Sequence, residues 1–339
     1  MERVKLSNSD LEVSRVCLGC WQFNDGKADN TWHAQDVKVS CAIVDKSLEM
    51  GVNFFDTAEA YSDHGSESVL GRALEGRRRD AIVATKFGGR KNTGDKLYRA
   101  EDIDQSLTES LQALKTDYVD LYQVHQSVIM KDPAETVKEL KRQQALGRIR
   151  YYGVSNFGPL SMKDFNEAGG VPVTNQLPYN LLWRSIEYDI IKSCDRYNID
   201  VIAYSPLQQG LLTGKYPNPE SVPEGRRRTR HFKGDSTPLS RHGRAGAEVE
   251  TFQTISDIRD ICEKAKIPNM GSAAIAWLLG QPRVSSVIVG ASGPEQMVEN
   301  CKLLQLDRET LGQLSSTSDG LKEKLGDNPD MWAKESRVR

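Results

Sequence analysis

Residues 53–87 read NFFDTAEAYSDHGSESVLGRALEGRRRDAIVATKF, and this stretch decides the fold. NFFDTAEAY (Asn53 to Tyr61) and AIVATKF (Ala81 to Phe87) are short apolar runs, as strands buried on both faces should be. Between them SESVLGRALEG (Ser66 to Gly76) has apolar residues at helical spacing, opens on Ser66 and closes on a glycine. Strand, helix and strand in this order make a parallel βαβ unit. The alternation runs the length of the chain. Further strands are expected at RVCLGCW (Arg15 to Trp21), VDLYQVH (Val119 to His125), IRYYGVSNF (Ile149 to Phe157), VPVTNQLPYN (Val171 to Asn180), IDVIAYSPL (Ile199 to Leu207) and VSSVIVGAS (Val284 to Ser292). Helical patterns occupy 35–51, 100–116, 132–147, 270–282 and 293–305, and Pro133 follows Asp132 as an N1 proline follows its cap.

Eight strands alternating with helices predict a closed (β/α)8 barrel, a single domain over 1–339. RVKLSNSDLEV (Arg3 to Val13) reads as an N-terminal hairpin with a polar turn at Ser7 to Asp10, capping the barrel bottom. Gln208 to Gly246 is a long basic loop after the seventh strand, and loops of that length are more often functional than idle. Beyond about Asp307 the chain reads as a polar, irregular tail (307–339) over the barrel.

The 339 residues are 38% hydrophobic and 27% charged, with net charge -2, an ordinary globular composition that gives no reason to expect nucleic-acid or membrane binding. No run has the apolar length of a membrane span, and MERVKLSNSDLEV lacks the apolar core of a signal peptide. Six scattered cysteines predict a reducing, cytoplasmic setting. Cys17 and Cys20 form a C-x-x-C, but on a strand they point to opposite faces and no second pair completes a metal site. No metal is expected.

Four polar residues stand at or just beyond the ends of three successive strands: Asp56, Tyr61, Lys86 and His125. Singly, each has a bland reading: a turn cap, a surface phenol, a paired lysine, a core histidine. Together they are the groups that carbonyl reduction uses. A phenol can donate a proton, but its pKa of about 10 makes it a weak acid at neutral pH. An adjacent ammonium favours the phenolate and is expected to lower that pKa. A carboxylate would hold the ammonium, and an imidazole would donate a hydrogen bond to the carbonyl oxygen.

The sequence resembles the aldo-keto reductases over nearly its whole length. The resemblance rests on GVNFFDTAEAYSDHGSESVLGRAL (51–74), ATKFG (84–88), YVDLYQVH (118–125), GVSNF (153–157), Gln176 with Tyr179 and Asn180, AYSPL (203–207), GLLTGKY (210–216) and VIVGASGPEQMVEN (287–300). The last of these and AYSPLxxG look most like the branch holding the potassium-channel β subunits and many microbial reductases. The resemblance implies catalytic roles for Asp56, Tyr61, Lys86 and His125, and NADP(H) bound in extended form. That agrees with the absence of a G-x-G-x-x-G after any strand. It places the nicotinamide carboxamide at Ser155, Asn156 and Gln176, and the ring against Tyr204. Ser205, Leu207 and Gly210 would run along the pyrophosphate, with Lys215 meeting phosphate. Gly290, Ser292, Gln296, Glu299 and Asn300 would hold the adenosine end, where the start of the last helix favours an anion. Arg230, or Arg228, would hold a 2′-phosphate, which favours NADPH over NADH.

Cys20 stands where relatives often have threonine. Trp21, Trp32 and Trp183 are candidate pocket walls, Trp21 also beside the cofactor. The expected partner is a small-molecule carbonyl substrate, and the resemblance allows a monomer or a homo-oligomer. The competing reading is a cofactor-binding regulatory subunit. The feature that would favour it, a long N-terminal extension or a partner-binding segment, is not read in this chain. Barrel specificity comes from loops, here 22–34, 91–99, 126–131 and 208–246. Asp25, Lys27, Asp29, Lys91 and Asp95 point weakly to polar carbonyls.

Overall fold

The structure is a computed structural model that describes residues 1–25, 35–89 and 97–339. Trp32, Lys27, Asp29, Lys91 and Asp95 lie outside the described residues. Strands β1 (Arg3–Lys5) and β2 (Glu12–Ser14) pair antiparallel, with Arg3 opposite Ser14. Eight parallel strands follow: β3 (Val16–Gly19), β4 (Phe54–Asp56), β5 (Ile82–Phe87), β6 (Val119–Val124), β7 (Ile149–Ser155), β8 (Thr174–Pro178), β9 (Asp200–Tyr204) and β10 (Val284–Val289). They neighbour one another in sequence order, and β10 returns to β3 with Val287 beside Val16, closing the barrel.

The two-residue period explains why the strand ends matter. In β4, Phe54 packs in an inner cluster and Phe55 in the outer one, so Asp56 returns to the inside. In β5, Ala84 is likewise inner, which brings Lys86 inward. Asp56 lies beside Ala84, and Lys86 beside Gln123. The inner cluster holds Leu6, Leu11 and Val13 with Phe54, Leu121 and Ile288, so the hairpin plugs the barrel floor. Burying several such side chains contributes about 1.5–3 kcal/mol each.

The helices are α1 (Val37–Glu49), α2 (Gly65–Ala73), α3 (Ala100–Leu114), α4 (Pro133–Ala145), α5 (Pro159–Glu167), α6 (Ile190–Arg196), α7 (Glu248–Lys264), α8 (Met270–Leu279), α9 (Pro294–Asn300), α10 (Arg308–Thr317) and α11 (Asp319–Leu325). Asp132 caps α4 by accepting from Ala134 N at 2.9 Å, with Pro133 at the first position. After α1 the chain turns at Gly51 with φ +80°.

The irregular tail expected after Asp307 is instead two helices followed by an extended segment. Asp307 caps α10 through Thr310 N at 2.7 Å, and α10 and α11 pack against α7. Arg184, buried after β8, ties them down: its Nη1 donates to Ser315 O (2.6 Å), Ser318 Oγ (2.9 Å) and Asp319 Oδ1 (2.8 Å). The polar, small-residue surface of 308–325 hid the narrow apolar face of Leu314 and Leu321. Helices α5, α6 and α7 were also missing from the sequence reading.

The long loop after β9 carries three short 3₁₀ turns before α7 begins. Cys17 belongs to the inner cluster and Cys20 to the outer one, as opposite faces require. Among the described residues no group of His, Cys, Asp and Glu could hold a metal, and no helix is long and apolar enough to cross a membrane.

Candidate active site

At the top of β4 and β5 the barrel brings three of the four expected catalytic groups into direct contact. Lys86, fully buried, donates from Nζ to Asp56 Oδ2 (2.8 Å), Thr57 O (2.8 Å) and the Tyr61 hydroxyl (3.1 Å). All three ammonium protons therefore have acceptors, which a buried charge requires. Burial pulls the Lys86 pKa down, but Asp56 and Tyr61 overcome it, and the group stays charged above the usual lysine range.

The phenol departs from expectation. Burial raises the Tyr61 pKa, and Asp56 raises it further; Lys86 opposes both and does not outweigh them. Tyr61 thus remains a protonated donor at neutral pH rather than a lowered acid. The expected lowering by Lys86 is outweighed first by the burial of the phenol and then by the charge of Asp56.

His125 lies edge-on to Tyr61, with ring centroids 5.9 Å apart. Burial, then Lys86, pushes its pKa down to about 3, so the ring is neutral. Its Nδ1 is 3.0 Å from Gly88 O. A carbonyl only accepts, so Nδ1 carries the proton and Nε2 keeps a lone pair. This too differs from expectation: a neutral imidazole in this tautomer accepts at Nε2 and does not donate there. Glu59 fixes the arrangement, its Oε1 accepting from Gly88 N (2.6 Å) and Tyr98 Oη (2.8 Å).

Around these four groups, Gln176 makes a contact that the sequence did not indicate. Its Nε2 donates to Asp56 Oδ1 at 2.7 Å, so it holds the carboxylate that pairs with Lys86. Ser155 Oγ donates to Gln176 O (3.0 Å). Asn156, at φ +58°, donates to His125 O (3.1 Å) and Ser155 Oγ (3.0 Å) and accepts from the Tyr204 hydroxyl (2.9 Å). Ser155, Asn156 and Tyr204 are thus one network beside the tetrad. Trp21, 40% exposed, stands with its ring 6.2 Å from Tyr61 and forms a wall of the mouth. Trp183 does not: it is fully buried against His231.

The loop after β9 forms the next part. Ser205, Gln208, Gln209 and Gly210 all have positive φ, and Leu207 O closes the turn onto Gly210 N at 2.9 Å. Gly210 is needed there. At φ +94° an added Cβ would stand 2.9 Å from Lys215 Cε and 3.4 Å from Arg226 Nη1. Arg226 Nη1 also donates to Gln209 O (3.2 Å) and Tyr216 Oη (2.8 Å). Two cations thus converge on an open backbone turn, a donor set that suits a diphosphate. Arg226 lies in the long basic loop expected at 208–246, where the sequence pointed to Arg228 and Arg230 instead.

Arg228 and Arg230 are placed elsewhere. The Arg228 guanidinium lies 5.6 Å over the Trp332 ring, and Arg230 Nη2 donates to Ala333 O (2.9 Å) and Lys334 O (3.4 Å). Both hold the C-terminal segment rather than the end of β10. At that end, Gly290 O accepts from Asn300 Nδ2 (3.1 Å), and Ser292 donates through N (2.7 Å) and Oγ (2.8 Å) to Gln296 Oε1. Glu299 pairs with Lys302 at 2.5 Å.

Comparison with known proteins shows the family. The Aldo/keto reductase family model matches residues 15–319. The uncharacterized oxidoreductase YqkF of Bacillus subtilis is 30% identical, covering 96% of this chain and 98% of its own. The NADH-specific methylglyoxal reductase of Escherichia coli is 31% identical over 91% and 94%, and a probable voltage-gated potassium channel subunit beta of Oryza sativa 30% over 90% and 92%. Among solved structures, the glycerol dehydrogenase of Gluconobacter oxydans superposes with a TM-score of 0.77 at 28% identity, covering 96% of this chain and 97% of its own. An aldo-keto reductase of Bacillus halodurans in its holo form gives 0.74 at 26%, over 94% and 96%. The chain belongs to the aldo/keto reductase family.

Proposed function

We propose that this protein reduces aldehydes or ketones to alcohols with a nicotinamide dinucleotide, Tyr61 acting as the general acid. The observation that carries this is the Lys86 ammonium, buried and 3.1 Å from the Tyr61 hydroxyl. The bound dinucleotide supplies the hydride to the carbonyl carbon. Tyr61 gives its proton to the oxygen as that oxygen gains charge, and Lys86 stabilises the phenolate left behind. General acid catalysis of this kind is worth roughly 10²- to 10⁴-fold. Asp56 and Gln176 hold Lys86 in place, while His125, neutral with Nδ1–H on Gly88 O, accepts the hydroxyl of the product alcohol at Nε2.

Ser155, Asn156 and Tyr204 would seat the nicotinamide, and Gly210, Lys215 and Arg226 the diphosphate. Gly290, Ser292, Gln296, Glu299 and Asn300 would line the adenosine end. NADPH is the form the sequence favours. A preference for NADH is the second reading. It is supported by the engagement of Arg228 and Arg230 with the C-terminal segment, and by Glu295, whose Oε2 is 3.3 Å from where a Cβ of Gly293 would stand. The ratio of kcat/KM for the two dinucleotides decides between them. A regulatory subunit with little turnover is the remaining alternative, given the similarity to channel β subunits. Dinucleotide binding without reduction of any aldehyde would favour it.

A further inference from the structure

The last fourteen residues cross the mouth of the barrel. Met331 O accepts from Arg230 N (3.1 Å) in the loop after β9, Ser127 Oγ after β6 donates to Arg337 O (3.4 Å), and Arg339 O accepts from Ser161 N (3.0 Å) in α5. On the way, the Trp332 side chain hydrogen-bonds Tyr204. The segment therefore runs from the Tyr204 side of the site to the His125 side. It turns on Asp330, whose side chain is 2% exposed. Its Oδ1 accepts from Trp332 N (3.0 Å), Ala333 N (3.2 Å) and Arg337 Nη2 (3.0 Å), and Oδ2 from Arg337 N (3.3 Å) and Nε (2.6 Å).

This geometry fixes one edge of the Arg337 guanidinium and leaves the other. Nε and Nη2 face Asp330; no described residue accepts from Nη1, and the side chain is 33% exposed. Much of the Asp330 charge is taken up by three backbone N–H groups, so the pair does not cancel at the open edge. The contact of Arg337 O with Ser127 Oγ (3.4 Å) sets this residue against the turn two positions beyond His125, and its charge reaches both the His125 imidazole and the Tyr204 phenol. A planar guanidinium with a free edge recognises carboxylate or phosphate oxygens.

We propose that Arg337 is a specificity-determining residue, selecting carbonyl substrates that also carry a carboxylate or phosphate. The proposal rests on the reductase reading. The carbonyl oxygen would lie at Tyr61 while the anion meets Arg337, so a neutral analogue loses only the anion contact.

The test compares para-carboxybenzaldehyde with benzaldehyde, and glycolaldehyde phosphate with glycolaldehyde, in wild type, Arg337→Gln and Arg337→Lys. Binding of benzoate and benzyl alcohol to the same proteins is measured by calorimetry, which needs no turnover. A charge-assisted contact predicts a KM increase of roughly 10- to 100-fold for the anionic member in Arg337→Gln, with kcat and the neutral member changed less than about twofold. Arg337→Lys should recover part of the loss, and carries the comparison if Arg337→Gln folds poorly. The more sensitive pair identifies carboxylate or phosphate. Equal losses for anionic and neutral members would show a purely structural role and overturn the proposal, as would no loss. If no aldehyde is reduced but benzoate binding still requires Arg337, the reductase reading fails while the anion site stands.

Discussion

Replacing Lys86 by methionine isolates the interaction on which the proposed chemistry depends. The ammonium lies 3.1 Å from the Tyr61 oxygen. At an effective dielectric of about 20, a full negative charge there would be attracted by about 5 kcal/mol. A proton half transferred in the transition state develops about half of that charge, so the loss should lie between about 10² and 10⁴ in kcat. The same change leaves Asp56 buried with Gln176 Nε2 as its remaining side-chain partner. Breaking a buried ion pair from one side costs about 3–5 kcal/mol of stability. The assay is therefore kcat per folded molecule, with stability followed by urea unfolding. Adding Asp56→Asn should restore much of the stability and none of the turnover. Because Lys86 acts through Tyr61, the double variant Tyr61→Phe/Lys86→Met should be no slower than Tyr61→Phe alone. Multiplicative losses, or turnover within tenfold of wild type in Lys86→Met, would refute the reasoning.

Further expectations come from the same geometry. The reductive kcat/KM should show no acidic limb from His125 above about pH 4, because the folded ring stays neutral with a pKa of about 3. It should fall only in alkali, as pH rises through a Tyr61 pKa lying above the usual phenol value and the donor proton is lost. A limb near pH 6 to 7 would show that His125 works as an imidazolium donor. Gly210→Ala, forced to φ +94° with its Cβ against Lys215, should raise the dinucleotide Kd about tenfold or more, at a strain of order 1–3 kcal/mol, read by fluorescence titration. Arg226→Ala should weaken NADH and NADPH alike by about 10-fold, as loss of a charge-assisted diphosphate contact requires. Arg230→Ala should leave their ratio unchanged, and a selective loss of NADPH would return the 2′-phosphate contact to Arg230.

The barrel, and the meeting of Asp56, Tyr61 and Lys86 at its end, were legible because both depend on local pattern. Phe54, Phe55 and Asp56 alternate inside and outside, and a polar residue after such a run must sit at a barrel end. Asp132 and Pro133 announced their helix in the same way. What stayed hidden depends on distant partners. Gln176 meets Asp56 across a sequence separation of 120 residues, and nothing near Gln176 names that partner. Arg226 was distinguished from its basic neighbours only by the fold of the loop. Two errors were of sign. The Tyr61 pKa rises because burial is complete and Asp56 opposes Lys86, and His125 accepts at Nε2 because its Nδ1–H is donated to Gly88 O. Helices α10 and α11 were missed because each buries a narrow face under polar residues, held through Arg184 rather than by a broad apolar stripe.

The most direct measurement is oxidation of NADPH and of NADH with an activated aromatic aldehyde by wild type and by Tyr61→Phe, with the dinucleotide Kd measured for both proteins. The account predicts turnover by wild type, a loss of at least about 10²-fold in Tyr61→Phe, and an unchanged Kd. Turnover that survives Tyr61→Phe would contradict it.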